Sequence, residues 1–381
     1  MKNVPELRFN EFNDEWKEEM LGNILKYEQP NKYISQELNK KGNTPVLTAN
    51  KSFILGYTNE ANYIYTNLPA IIFDDFTTDN KYVNFPFKIR SGAIKILTHK
   101  KHNIKFVYYK MNLIKFKLGN EHKRYWISEF QYLKISFPSL PEQQKIVSFI
   151  SAIDKKIELT DKKLEFLEKY KKGLMQKLLT GKIRFPGFKD EWKEEKLGNF
   201  IKIQGGYAFK NKLFKEKGIP IIRISNLSID GKYTNINNLV YYDKTENDNN
   251  FIIKGNDLLI AMSGATAGKV SVYNKKNIAY LNQRVGLFKL IQFDKLDYNY
   301  MTQYAFSNFF NNQLKSLLAT SAQPNISSKD IEKLKIKLSA LPEQQKIASF
   351  LSAIDKKIEL VKLRLENLKR YKKGLLQKMF V

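Results

Sequence analysis

The most regular pattern in the chain is one in which Ile150, Ile153, Ile157, Thr160, Leu164, Leu167, Lys171, Leu174 and Leu178 follow at alternating steps of three and four. That spacing keeps one stripe of an α-helix nearly continuous over four heptads, the pattern of a coiled-coil seam. The stripe returns as Leu351, Ile354, Ile358, Val361, Leu365, Leu368, Lys372, Leu375 and Met379. A helix of about 35 residues is roughly 50 Å long, too long to hide one side against a small domain, so the two stripes are expected to pair antiparallel as spacers. Helices over Pro141 to Thr180 and Pro342 to Phe380 follow. Proline suits each first turn, Glu142 and Glu343 suit the positive end of the dipole, and Gly181 permits a left-handed cap.

Outside these helices the apolar residues fall in short runs, Ala70 to Phe73, Ile104 to Tyr109, Ile219 to Ile224, Asp257 to Ala261 and Val285 to Leu290, separated by Gly, Asn and Asp. They predict strands of α/β or α+β globules, with one further helix over Tyr298 to Leu318.

Comparing the chain with itself sets the organisation. Leu7 to Leu25 recurs from Ile183 to Ile201, with about 12 of 19 positions identical at an offset of 176. Leu140 to Thr180 recurs from Leu341 to Val381, with about 28 of 41 identical at an offset of 201. The offset grows by 25, so the second half is longer between the blocks, and residues 26–139 and 202–340 do not align with one another beyond their ends. The sequence therefore divides into globules over 1–139 and 182–340, each followed by a repeated helix, 140–181 and 341–381. The fold class is two α/β (α+β) globular domains separated by two long antiparallel coiled-coil helices, with an internal pseudo-twofold repeat.

Composition adds the partner class. The 381 residues are 43% apolar and include 26 Phe and 21 Tyr, enough to bury two or three cores. Lys and Arg number 65 against 38 Asp and Glu, a formal charge of +27, and such a surplus calls for a polyanion, with nucleic acid the first candidate and an acidic membrane surface a weaker one. The absence of cysteine excludes disulfides and thiolate chemistry. No apolar run has the 18 or more residues of a membrane span, and Met1 to Glu6 lacks a secretory core, so a cytoplasmic protein is expected.

Catalytic motifs fail one by one. Gly264-Ala-Thr-Ala-Gly268-Lys269 is one residue short of a phosphate loop and is followed by Val270, which reads as a backbone turn. Glu15-Trp16-Lys17 and Glu191-Trp192-Lys193 have nuclease-like spacing but lack the additional upstream acid that holds magnesium. His99, His102 and His122 are too loosely spaced for a metal site, and no Asn-Pro-Pro-aromatic segment of an amino-methyltransferase occurs. No catalytic residue, metal or cofactor is therefore assigned to this chain.

The alternation of a variable half, a Leu-Pro-Glu-Gln-Gln-Lys-Ile helix, a second variable half and the same helix again resembles the specificity (S) subunit of type I restriction-modification systems. Gly218 to Leu227, Asp257 to Gly264 and Gln323-Pro-Asn-Ile326 look like target-recognition segments of that family; Thr44 to Tyr57, Phe73-Asp-Asp-Phe76 and Arg124-Tyr-Trp126 look like another class of the same domain. The resemblance implies a non-catalytic, cytoplasmic bacterial DNA-recognition subunit whose two target-recognition domains read a bipartite asymmetric site. It implies two methyltransferase (modification) subunits and restriction (motor-nuclease) subunits as partners, with S-adenosylmethionine, ATP and Mg on those subunits.

Arg and Lys suit guanine edges, and Asn and Gln suit adenine. Candidates for double-stranded DNA contact are Asn50, Lys51, Thr77, Thr78, Lys88, Arg90 and Arg124 in the first half, and Lys210, Arg223, Asn226, Thr266, Lys269, Arg284, Gln323 and Asn325 in the second. Competing readings are the specificity module of a type IIB or IIG-like system, a stand-alone nuclease, and a coiled-coil adaptor.

Overall fold

The computed structural model describes residues 4–50, 52–99, 101–119, 123–227, 232–245, 248–319 and 325–380. The two heptad stripes form helices Leu140–Leu178 and Leu341–Met379, 39 residues each. The chain divides into two compact units, residues 1–162 with 363–381 and residues 163–362. Each unit therefore holds the beginning of one long helix and the end of the other.

Within each unit the helix segments pack through the seam. In the first, Ile150 and Ile153 are buried in one cluster with Leu375 and Met379, with Ile157 packed against it, and Asp154 pairs with Lys372 at 2.6 Å. In the second, Leu167 is buried with Ile354, Ile358 and Val361, with Leu164 and Leu174 against them. There Glu168 meets Lys362 at 2.7 Å and Lys171 meets Asp355 at 2.5 Å. One helix advances as the other retreats, so the segments run antiparallel. Leu351 joins the main core of the second unit, Leu365 is buried and Leu368 half-buried. Lys171 and Lys372, the charged seam positions, are thus each answered by an aspartate of the other helix, a device that penalises slipped registers. Burial pulls the Lys171 ammonium below the ordinary lysine range although Asp355 opposes it. At Asp355 burial pushes upward, but Lys171 and Lys232 together hold the carboxyl below its usual range.

The globular parts share one topology. In the first unit an antiparallel sheet runs in the order Leu25–Glu28, Ile94–His99, Ala70–Asp74, Asn80–Val83. In the second the order is Ile201–Gly205, Val285–Leu290, Leu258–Ala261, Val270–Val272. A second sheet pairs Thr44–Leu47 antiparallel with Ile54–Thr58 and parallel with Lys88–Ile89. Its counterpart pairs Ile219–Ile222 antiparallel with Val240–Tyr242 and parallel with Ala279–Leu281, which also takes Ile252–Ile253. The unbroken apolar runs are central strands covered on both faces. Ile71 and Phe73 point to the core shared with the helices, and Ala70 and Ile72 to the core between the sheets. Leu258 and Ile260 divide from Leu259 and Ala261 in the same way.

Two predicted elements are corrected. Ile104 to Tyr109 is not a strand but the start of helix Ile104–Met111, because Asn103 Oδ1 caps it by accepting the amides of Lys105 at 3.0 Å and Phe106 at 3.3 Å. The single helix over Tyr298 to Leu318 is two, Tyr298–Ala305 and Asn308–Ala319, because the Ser307 hydroxyl accepts the Phe310 amide and starts the second.

Glu142 and Glu343 do more than complement a dipole. Glu142, 1% exposed, accepts from Arg8 Nε at 2.8 Å and Nη2 at 2.7 Å, and from the Trp16 indole at 3.4 Å. Glu343, fully buried, accepts from Arg184 at 2.9 and 2.7 Å and from the Trp192 indole at 3.2 Å. The glutamines that follow are buried too. Gln143 accepts the Asn103 amide at 3.0 Å and Gln344 that of Asp297 at 3.0 Å, so each long helix fixes the residue that caps a neighbouring short one. Removing a buried carboxylate strands its arginine, so Glu343→Ala should lower unfolding free energy by about 3–5 kcal/mol in urea titrations. Glu359→Ala, an exposed position on the same helix, should change it by less than about 0.5 kcal/mol.

Candidate nucleic-acid interface

In the first unit the site is built on the end of the central strand Ala70–Asp74. Asp74 Oδ1 accepts the amides of Phe76 at 2.9 Å and Thr77 at 3.0 Å, and its carbonyl accepts that of Thr78 at 2.9 Å. Thr78 is held at φ +60°, a left-handed conformation unfavourable for a β-branched residue and costing of order 1–3 kcal/mol. Asp75 is buried: its carboxylate accepts the Trp126 amide at 2.8 Å and lies 3.2 Å from the buried ammonium of Lys95, while its carbonyl accepts the Tyr125 amide at 2.8 Å. Phe73 meets the Trp126 ring edge-on at 5.5 Å. The Phe73-Asp-Asp-Phe76 and Arg124-Tyr-Trp126 segments, fifty residues apart, are thereby one structure, with Phe76, Thr77 and Arg124 exposed on it.

The other first-half candidates divide. Asn50 is exposed in a turn closed by the Phe53 amide on its carbonyl at 3.2 Å; Lys51 lies outside the described residues. Lys88 is corrected: it is 4% exposed, 2.9 Å from Glu60 and bonded to the Asn62 carbonyl at 3.1 Å, so its charge is spent inside the fold. Arg90 is exposed but its guanidinium donates to the carbonyls of Ser35 at 2.9 Å and Gln36 at 3.2 Å, pinning that loop.

In the second unit the three segments singled out in the sequence, Gly218 to Leu227, Asp257 to Gly264 and the one ending at Ile326, converge. The turn Gly264–Thr266 packs on the turn Ile224–Asn226, and Gly264, at φ +76°, is so near that a Cβ would lie 3.3 Å from Ile224 Cδ1. The Ile326 amide donates to the Met262 carbonyl at 2.8 Å, and the Met262 amide to that of Arg284 at 2.9 Å. Arg223, Thr266, Lys269, Arg284 and Asn325 are thus gathered, the last three exposed. Arg223 Nη2 donates to the Asn238 carbonyl at 3.1 Å, whereas its Nε and the Thr266 hydroxyl are buried without a hydrogen-bond partner among the described residues. Asn226 is corrected: 2% exposed, it accepts the Arg223 amide at 3.1 Å and donates to the Asn235 carbonyl at 3.1 Å, closing its own turn. Lys210 is exposed just beyond an aromatic cluster of Tyr207, Phe209, Phe251 and Tyr280. Gln323 lies outside the described residues.

Two exposed aromatics stand beside these groups: Phe76, the last residue of the Phe73-Asp-Asp-Phe76 segment, and Tyr207, which no sequence motif marked. Tyr207 is 48% exposed and stacks on Phe251 at 5.0 Å. Among the described residues no group of three potential metal ligands occurs; His102 is engaged by Glu19 and Gln143, and His122 lies outside the described residues. No helix there is long and apolar enough to cross a membrane. The Gly264 to Lys269 segment is a backbone turn, with the amides of Ala267 and Lys269 donating back to Gly264 and Thr266.

The model of the type I restriction modification DNA specificity domain matches twice, over residues 13–169 and 189–370. The specificity subunit of the Escherichia coli type I restriction enzyme EcoR124I/EcoR124II is 40% identical over 220 residues, 53% of this chain and 53% of that relative. The chain thus matches about half the length of that relative. The MjaVIII specificity subunit of Methanocaldococcus jannaschii is 26% identical over 95% of this chain and 91% of its own. In fold, the type I S subunit from M. genitalium superposes with a TM-score of 0.70 at 15% identity, covering 99% of each chain.

The placements separate structural from exposed cations. Lys88→Ala should destabilise the first unit by about 3 kcal/mol, since it leaves Glu60 without its cation, whereas Arg124→Ala should change stability by less than about 0.5 kcal/mol. Glu60 is held down to about 2 from 4.5 by the Ser35 hydroxyl first and Lys88 second. Its folded value lies below its unfolded one, so its contribution is complete above about pH 4.5 and is lost as pH falls towards 2. Glu60→Gln should flatten the pH dependence of urea stability in that window.

Proposed function

The chain belongs to the family of type I restriction-modification DNA specificity domains, and from that premise we propose that it is a specificity subunit reading a bipartite, asymmetric DNA site, one part with each unit. The observation that carries this reading is the doubled topology: one strand order in both units, bearing recognition turns that expose different side chains. Thr77 and Arg124 stand on one, and Lys269, Arg284 and Asn325 on the other. A palindrome would need like surfaces on the two.

The charge of +27 supplies affinity, because lysines and arginines that neutralise phosphates release condensed counterions. Phosphate contacts set register; base edges set sequence. Arg124 and Arg284 are the candidates for guanine and Asn325 for adenine, since a guanidinium matches O6 and N7 and a carboxamide matches N6 and N7. Methyl transfer and ATP-dependent cleavage belong in this reading to partners, two modification subunits and the restriction subunits, which bring S-adenosylmethionine, ATP and Mg. This chain supplies the address.

Exchanging residues 26–139 for the matching segment of another specificity subunit should change one half of the site and leave the other intact, read by methylation mapping with the modification partner. Arg284→Ala should relax the other half by about 1–3 kcal/mol at one base pair. A continuous palindromic site, or both halves changing together, would refute the reading.

A further inference from the structure

Tyr207 stands two residues past the end of strand Ile201–Gly205, and its backbone is held by both polar groups. Its amide donates to the Leu281 carbonyl at 2.8 Å, and its carbonyl accepts the Gln283 amide at 2.9 Å. A Cβ at Gly206 would lie 2.0 Å from the Leu281 oxygen, so only glycine lets the chain run this close to strand Ala279–Leu281. The Tyr207 ring stacks on Phe251 at 5.0 Å, with 27° between the planes, and meets Phe209 edge-on at 5.0 Å. Both of those rings are 7% exposed and pack on the fully buried Tyr280. Tyr207 is thus the outer member of a four-ring cluster, fixed in backbone and ring, with nearly half its surface open.

The mounting is shared with the exposed cations. Gln283, which holds the Tyr207 carbonyl, immediately precedes Arg284, and the Arg284 carbonyl accepts the Met262 amide at 2.9 Å. The Ala261 amide donates to the Lys269 carbonyl at 2.9 Å, and the Met262 carbonyl accepts the Ile326 amide at 2.8 Å. Backbone hydrogen bonds therefore tie the ring to the segments that expose Arg284, Lys269 and Asn325, and Lys210 is exposed three residues along the chain.

The first unit has a serine at this place. There the Ser35 amide donates to the Ile89 carbonyl at 2.8 Å, as Tyr207 does to Leu281. The residue after each carbonyl matches too: the Arg90 amide donates to the Leu47 carbonyl at 3.3 Å, and the Asn282 amide to that of Ile222 at 3.1 Å. Ser35 is 1% exposed, and its hydroxyl donates to Glu60 at 2.6 Å. An open ring at this position belongs to the second unit alone.

We propose that Tyr207 is a stacking platform for a nucleobase unstacked from the duplex, in the part of the site read by the second unit. The inference rests on the DNA reading and adds to it a contact that is neither to a phosphate nor to a base edge. A ring already fixed loses little freedom when a base settles on it, and every base has a face to stack. The neighbouring cations draw the phosphates of the same strand towards the ring. Because stacking reads no edge, it tells sequences apart only through the cost of unstacking, which is least at pyrimidine–purine steps. With Ser35 buried at the matching place, the other part of the site is left without this contact.

The test uses the full chain with its modification partner, duplexes carrying the site mapped by methylation, and a series of those duplexes in which one nucleotide at a time is abasic. Tyr207→Ala should weaken binding of the intact duplex about fivefold or more, Tyr207→Leu should do the same, and Tyr207→Phe should stay within about twofold of the parent. At one abasic position, in the second unit's part of the site, parent and Tyr207→Ala should bind equally. The slope of affinity against salt should not change, since no phosphate contact is lost. A chain with no site preference at all would overturn the DNA reading and this inference with it. A chain that keeps its site preference but binds equally well as parent and as Tyr207→Ala would overturn the stacking alone. So would a loss in Tyr207→Ala of one size at every abasic position, the mark of a disturbed fold, because only a direct contact makes the loss vanish at a single nucleotide.

Discussion

A buried carboxylate at the start of each long helix is the constraint on which each unit depends. Taking Glu142 or Glu343 out of water costs several kcal/mol, and only a well-shaped cation offsets it. Arg8 and Arg184 supply two parallel N–H bonds each, and a tryptophan indole supplies a third. Arginine and tryptophan come from the repeated N-terminal block and glutamate from the helix, so satisfying the carboxylate joins the two repeated blocks of each unit. The next residue extends the joint: Gln143 also donates to the Pro138 carbonyl, and Gln344 to that of Ser339, which ties the helix to the strand before it.

From that joint the rest of each unit is positioned. The short helices Ile104–Met111 and Tyr298–Ala305 begin just after capping residues held by the glutamines, and both reach the seam. Tyr109 donates to Asp154 at 2.6 Å, and Gln303, its counterpart, donates to Asp355 at 2.9 Å. The two aspartates that answer the seam lysines are therefore also tied to the globular layers. In the second unit Lys232 adds a further contact to Asp355 at 2.8 Å. An unlike pair of side chains does one job at one place, which is how two sequences that do not align keep one architecture.

The same logic separates side chains left exposed from those consumed by the fold. At the end of the first unit's central strand, Asp75 uses both its carboxylate and its carbonyl to hold the Arg124 segment, leaving Thr77 and Arg124 outward. Lys88 and Asn226 had the right chemistry for a base edge but are consumed by Glu60 and by a turn. Residue type proposes a contact; the partners already present decide whether the group is free to make it.

Periodicity and repetition were legible in the sequence because they follow from helix geometry and from identity between segments. The antiparallel seam, the strands Ala70–Asp74 and Val285–Leu290, and the cap at Gly181 with φ +73° all rest on local pattern. The likeness of the two variable halves was not legible, since a sheet order is kept by burial on both faces and tolerates many apolar sequences. Nor was the helix at Ile104, whose β-branched and aromatic residues suit a strand until Asn103 caps it and Gln143, forty residues on, holds the amide of that cap. The burial of Glu142 and Glu343 was likewise hidden, for a glutamate beside a helix start reads as solvent-facing unless its arginine, more than a hundred residues away in sequence, is known to be there. Contacts between distant residues carry no local signature, and in this protein they decide which charges are structural and which are left to meet another molecule.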